Sequence, residues 1–343
     1  MDILKALDRE SDYSTTQLQF ILGAWVLTTL FDRKQKISTH NGDIAEDDYT
    51  KQSVYSLLYS LYRSMGTVRS ETGEPYELTF NTWGYAWPSE WGTAPTSGTD
   101  PQRFGKNAYT GLFEFAPVKE YARAREGKVH VVEMGCGTGA GAHHICEHVL
   151  PECTYEAVDM QRAAISTCKR KFVPCLNGRL VATCGDCTQI SIDESAADFV
   201  VVCETHVTEH AGQATEEDQL FFKTAHRILK TGGFLVWGNA IPDSTWQPCF
   251  DYLDSIGMKL VEVRDVTKEA VVARDEDKPR VGAYVEQCLD AFMGFRIPFL
   301  GRKKRLEARL AMENFYRNPG TNLYVNMKDG TDTYKVAVLQ KVA

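Results

Sequence analysis

The sequence predicts an α/β protein: a doubly wound, mostly parallel sheet of seven strands with helices on both faces. Three observations carry this. From residue 128 onward, strand-like runs alternate with helix-patterned segments, the order that builds a parallel sheet. One of those runs, ADFVVVCE, is almost continuously apolar, as a strand buried on both faces must be. The first strand, KVHVVEMG, runs straight into a glycine loop and then a helix.

The elements follow in order. Residues 15–31 and 49–65 read as helices, the second with Val54, Leu57, Leu58, Leu61 and Met65 at helical spacing. Residues 72–106 are rich in Gly, Pro, Ser and Thr, with Trp83, Tyr85, Trp87 and Trp91 among them. A long aromatic loop of this kind is expected to be ordered and functional. After KVHVVEMG come the helix GAGAHHICEHVL and the strand TYEAVDM. The helix QRAAISTCKRKF turns Ala163, Ile165 and Cys168 inward, and the strand RLVATCGD follows. ADFVVVCE is the fourth strand, and the helix DQLFFKTAHRILK should end at Thr231-Gly232-Gly233. FLVWGNAI, a helix over 244–256, MKLVEVRDV, a helical stretch over 268–317 and the strand DTYKVAVLQKV complete the chain. The expected organisation is a helical extension over 1–75, an aromatic-rich connector over 76–127, and a core over 128–343 with a helical insertion at 268–317.

Composition narrows the function. The chain has 343 residues, 43% of them hydrophobic, and a net charge of −8. That is the profile of a soluble globular protein, and an acidic chain lacks the footprint for a nucleic-acid backbone. The apolar run Leu18–Phe31 is too short to span a bilayer. Ten cysteines, several in apolar runs, point to reduced thiols and a cytoplasmic setting.

The sharpest motif is VVEMGCGTGAG, in which Gly135, Gly137 and Gly139 sit between a strand and a helix. Glycines there allow a tight turn and close approach of a ligand to backbone. Glu133 lies two positions ahead, where its charge repels a pyrophosphate but suits a cationic ligand. Asp159 ends the second strand, placed to accept from a ribose diol. Asp186, ending the third strand beside Cys187, is placed to accept from an exocyclic amine.

This ordered series resembles the class I S-adenosylmethionine methyltransferases. FNTWGY, residues 80–85, resembles an N-x-G-Y motif of small-molecule methyltransferases, and CETH, residues 203–206, an E-[AS]-x-H stretch after the fourth strand. With the tail PGTNLYVNMKDGTDTYKVAVLQK, these are similar to the phthiotriol dimycocerosate methyltransferases and, more distantly, the sterol C-methyltransferases. The resemblance covers roughly residues 78–341. It implies a Rossmann-like methyltransferase fold and S-adenosyl-L-methionine as cofactor. Gly135, Gly137 and Gly139 would line its methionine part and Asp159 its ribose. Met160, Asp186 and Cys187 would flank adenine, and Trp83 and Tyr85 would close over it. Packing as a hydrophobic plug is the other reading of Trp83, Trp87 and Trp91.

Ligands in such sheets bind outside the carboxyl ends of the strands, so Glu204, His206 and His210 emerge on the ligand face. Glu204 or His206 is suited to take a hydroxyl proton; Glu204 is also suited to serve an alkene acceptor as base. Residues 206–210, HVTEH, match a zinc-peptidase string, but that motif needs a helix and these follow a strand directly. No metal is expected. The lead expectation is O-methylation of a small, fairly apolar natural product or lipid, as in secondary metabolism. The alternative is C-methylation of an isoprenoid. Val285, Cys288, Leu289 and the run FMGFRIPFL are expected to wall an apolar acceptor pocket, and Gly301–Arg305 to form a solvated turn or meet a phosphate. A second copy of the chain stays open as a partner.

Overall fold

The computed structural model describes residues 67–70, 72–205, 212–293 and 301–342. The helices expected at 15–31 and 49–65 lie outside them. The described chain opens with a small antiparallel hairpin, β1 (Thr67–Arg69) and β2 (Pro75–Glu77). Two helices follow, α1 (Arg103–Gly111) and α2 (Ala116–Arg123). The connector over 76–127 is therefore partly helical. The sequence RFGKNAYTG hides α1, because two glycines dilute its helical signal.

The main sheet then assembles. Its strands are β3 (His130–Met134), β4 (Thr154–Asp159), β5 (Leu180–Cys184), β6 (Ala197–Cys203), β7 (Leu229–Pro242), β8 (Met258–Asp265) and β9 (Asp332–Lys341). Their spatial order is β5-β4-β3-β6-β7-β9-β8. Pairing is parallel from β5 across to β7, and β9 is antiparallel to both its neighbours. The seven-stranded, mostly parallel sheet is the one expected. The order reverses between β3 and β6, the place in such sheets where a ligand crevice is expected beyond the carboxyl ends.

The intervening helices are α3 (Ala140–His144, continued by a π-helical turn over Ile145–Val149), α4 (Arg162–Lys171), α5 (Glu216–Ile228) and α6 (Asp243–Ser255). After β8 come α7 (Thr267–Met293), α8 (Gly301–Phe315) and α9 (Asn322–Asp329). Successive residues of β3 and β6 bury on opposite faces: Val131, Phe199 and Val201 join one core, Val132, Val200 and Val202 the other. All seven residues of β6 are buried.

Four details depart from the sequence expectation. Helix α5 stops at Ile228, and Gly232-Gly233 lie inside β7 rather than capping the helix. A Cβ on Gly233 would stand 2.8 Å from the Asp198 carbonyl, so the glycine serves a close strand crossing. On α4 it is Ala164, not Ala163, that is fully buried. Gly301–Arg305 opens α8 instead of forming a turn, and Arg305 is committed to Glu286 (2.8 Å) and Asp290 (2.6 Å). Val285, Cys288 and Leu289 pack with Val68, Leu78, Ala164 and Tyr316 in a third core, so they hold the insertion in place rather than line an open pocket. The side chains of 292–300 lie outside what is described. No helix among the described residues is long and apolar enough to cross a membrane.

Candidate functional site at the strand ends

The glycine loop leaves β3 and leans at once on β4: the amides of Gly135 and Cys136 donate to the Val158 carbonyl at 2.8 and 3.0 Å. Gly135 and Gly139 adopt φ of +89° and +81°, where a side chain is strained. Neither has room for one. A Cβ on Gly135 would fall 1.9 Å from Thr205 Cγ2, and one on Gly139 2.2 Å from Cys168 Sγ. The glycines thus admit the protein's own side chains from β6 and α4. Thr205 also donates from Oγ1 to the Gly135 carbonyl at 2.8 Å, which ties the two strand ends together.

Gly137 turns its amide to Asp159 Oδ2 at 2.8 Å, and Gln161 donates its amide to Oδ1 at 2.8 Å. Asp159 is 8% exposed; burial pushes its carboxyl up, and these two amides pull it back. Each oxygen keeps a lone pair. Met160 follows, 48% exposed. Asp186 caps its own turn, accepting from the Thr188 amide and hydroxyl at 2.8 Å and from Gln189 Nε2 at 3.0 Å. Cys187 is half-buried beside it, its thiol pushed up to about 12 mainly by burial.

Glu133 lies beneath the loop with no exposure. Its two oxygens accept from Tyr109 Oη (2.8 Å) and Tyr155 Oη (3.1 Å). Burial raises its carboxyl to about 7 against the pull of both hydroxyls. Tyr109 reaches it from α1 only because position 141 is glycine: a Cβ there would stand 2.0 Å from the Tyr109 ring.

The aromatic connector roofs the crevice. Thr138 in the glycine loop donates to the Thr79 carbonyl at 2.5 Å, and the Thr79 and Phe80 amides donate to Gln102 Oε1. Glu204, at φ +48°, sends its carboxylate up into this roof. It accepts from the Trp83 amide (2.7 Å), the Gly84 amide (2.8 Å) and Tyr334 Oη (2.8 Å). Burial raises the Glu204 carboxyl, while the Gly84 and Trp83 amides, Tyr334 and Arg274 lower it. Trp83 is half-buried with its Nε1 on the Phe315 carbonyl at 2.9 Å. Tyr85 has no exposure and packs edge-on to Trp91 and Tyr334, so it is a plug in the core and not a wall of the crevice.

The candidates that the structure describes lie at the carboxyl ends of β3, β4, β5 and β6 and in the roof over them, with Glu133 and Tyr85 buried. His206 and His210 lie outside the described residues. Sequence reading placed Thr205 in a motif without its contact to Gly135, and missed Tyr109, Tyr334 and Arg274. Gly141 and Gly84 are the signals that could have found two of the contacts; a Cβ on Gly84 would stand 1.9 Å from the Phe104 carbonyl.

The donor set suits a nucleoside. Glycine backbone, a buried acid with spare lone pairs and an exposed apolar Met160 line one side, with the acid Asp186 at the next strand end.

Residues 131–233 match a family model described as a methyltransferase domain. No curated protein matches the chain. Among solved structures, the 4+2 cyclase SpnF is similar at 14% identity and a TM-score of 0.55, covering 88% of this chain and 99% of that one. A geranyl diphosphate methyltransferase, solved with GPP and sinefungin, is similar at 11% identity and a TM-score of 0.50, covering 77% and 90%. At such identities the likeness is one of fold. The match to a methyltransferase domain spans less than half of the chain and points to methyl-transfer chemistry.

Proposed function

We propose that this chain uses S-adenosylmethionine to methylate a hydroxyl of a small, fairly apolar natural product or lipid. The observation that carries this reading is the roof. Residues 79–85 are pinned across the strand ends at Thr138, Gln102 and Glu204. A crevice roofed by its own chain suits a small acceptor better than a protein or nucleic-acid surface, and the chain's net charge of −8 agrees. The resemblance of its motifs to lipid methyltransferases supports an apolar acceptor.

When bound, S-adenosylmethionine supplies an electrophilic methyl group on its sulfonium. The chain's own residues align and dry the site. In this reading Gly137 and Asp159 hold the nucleoside, Met160 and Asp186 flank its base, and Trp83 shields the acceptor side. Glu204 is a positioning residue: the Trp83 and Gly84 amides and Tyr334 Oη take three of its acceptor sites and hold the carboxylate in the roof. That favours an oxygen acceptor over an alkene that depends on Glu204. His206, with His210 as the second candidate, is then assigned the acceptor proton.

Calorimetry with S-adenosylmethionine followed by turnover on two panels tests this. Methyl ethers from hydroxylated apolar acceptors, and loss of turnover with retained cofactor binding in His206→Ala, are the expected results. Products only from prenyl diphosphates would move the acceptor atom to carbon.

A further inference from the structure

The peptide unit joining Trp83 to Gly84 stands between two buried charges. Its N–H donates to Glu204 Oε1 at 2.8 Å, and its carbonyl accepts from Arg274 Nη2. Glu204 directly follows β6; Arg274 belongs to α7 in the insertion. One amide plane thus bridges a cation and an anion, and hydrogen bonds in such a series polarise one another.

Arg274 is costly where it sits. It is 3% exposed, and its Nε has no partner. Its nearest carboxylate, Asp277, is 3.6 Å away and gives both oxygens to Arg280 at 2.6 Å. The Tyr316 carbonyl is 3.5 Å from Arg274 Nη1, a long contact. A buried guanidinium held mainly by a carbonyl is a poor stability device. Packing of α7 is already supplied further along the helix by Val281, Val285, Cys288 and Leu289. Burial works against the Arg274 cation; Asp277 favours it most, and Glu204 favours it less, across the peptide. The same residue, Trp83, also binds the end of α8 through Nε1, and Arg317 covers its ring at 4.6 Å.

We propose that Arg274 is a positioning residue that couples the α7–α8 insertion to the cofactor crevice through the Trp83–Gly84 peptide. A cofactor that orders the strand-end loops then orders the insertion, and the acceptor side is set only when the cofactor side is filled. The coupling rests on the methyltransferase reading above.

Hydrogen exchange on the full chain, with and without S-adenosylhomocysteine, tests it. In the wild type the ligand slows exchange across residues 267–293 by about fivefold or more. Arg274→Met still binds the ligand but loses this protection. Arg274→Lys, which keeps a donor for the Trp83 carbonyl, retains at least half of it. Glu204→Gln removes the anion at the other end of the bridge and loses the protection as well, which guards against misfolding of one variant. A purely packing role for Arg274 lowers the melting temperature without ligand and leaves the ligand-dependent protection intact; that result overturns the proposal. So does a wild type that binds ligand with no slowing at 267–293. A wild type that binds no S-adenosylhomocysteine overturns the cofactor reading first and the coupling with it.

Discussion

Thr205 occupies the space that a side chain at Gly135 would need. The methyl carbon of Thr205 stands 1.9 Å from an ideal Cβ on Gly135, and its hydroxyl donates to the Gly135 carbonyl at 2.8 Å. Gly135→Ala must therefore expel Thr205 and also hold alanine at φ +89°. The expected loss is about 2–4 kcal/mol, from lost packing plus backbone strain. Adding Thr205→Gly relieves the clash and leaves the strain, so the double variant should recover part of the loss. Urea denaturation of both variants checks this. Additive losses would separate the two residues.

Glu204 and Tyr334 give a second ordering. The Trp83 and Gly84 amides use different oxygens of Glu204, so Glu204→Gln points an NH₂ group at one of them. An unsatisfied buried donor costs about 1–3 kcal/mol. Tyr334→Phe removes a single hydroxyl donor and should cost about 1 kcal/mol. Glu204→Gln is expected to lose more stability than Tyr334→Phe and at least tenfold in turnover. Equal losses would mean that the roof is held elsewhere.

Two buried groups give opposite pH slopes. Burial raises Glu133 from 4.5 to about 7, so its contribution is full below pH 4.5 and is lost as pH rises through 7. Burial lowers His144, whose Nε2 meets Thr110 Oγ1 at 2.8 Å, from 6.5 to about 3. Its contribution is full above pH 6.5 and is lost as pH falls toward 3. Between pH 4.5 and 6.5 the slopes, about 1.4 kcal/mol per unit each, oppose one another. Relative to wild type, Glu133→Gln should lose stability on acidification across this window, and His144→Gln should gain it. Denaturation midpoints at pH 4.5, 5.5 and 6.5 decide the signs.

These pairs also mark what a sequence can disclose. The strands from residue 128, the glycine loop and Asp159 are legible because each is a local pattern. The roof is not: Glu204 meets Trp83 across 121 residues, and Tyr334 meets Glu204 across 130. Glu133 carries a recognisable position, yet its partner Tyr109 sits on a helix that glycines disguise. Val285, Cys288 and Leu289 read as a pocket wall because apolar periodicity does not say which element covers it; β1, Leu78 and α4 do.

Asp159 carries the cofactor prediction. It organises the crevice from both sides, taking the Gly137 amide on one oxygen and the Gln161 amide on the other. An asparagine has one acceptor oxygen, so one amide must face an NH₂ group and the loop or the start of α4 shifts. Hydrogen bonds to a charged acceptor contribute about 1.5–3 kcal/mol. Losing one, together with the acceptor meant for a ribose hydroxyl, should weaken S-adenosylhomocysteine binding at least tenfold. Because burial opposes the charge on Asp159, removing that charge returns part of the desolvation cost, and stability should fall far less than affinity. Asp186→Asn is the control, since Asp186 spends its acceptors on Thr188 and Gln189 within its own turn and should cost less affinity. Calorimetric titration of the three proteins gives the ranking. A larger loss in Asp186→Asn would shift the main polar anchor from β4 to β5.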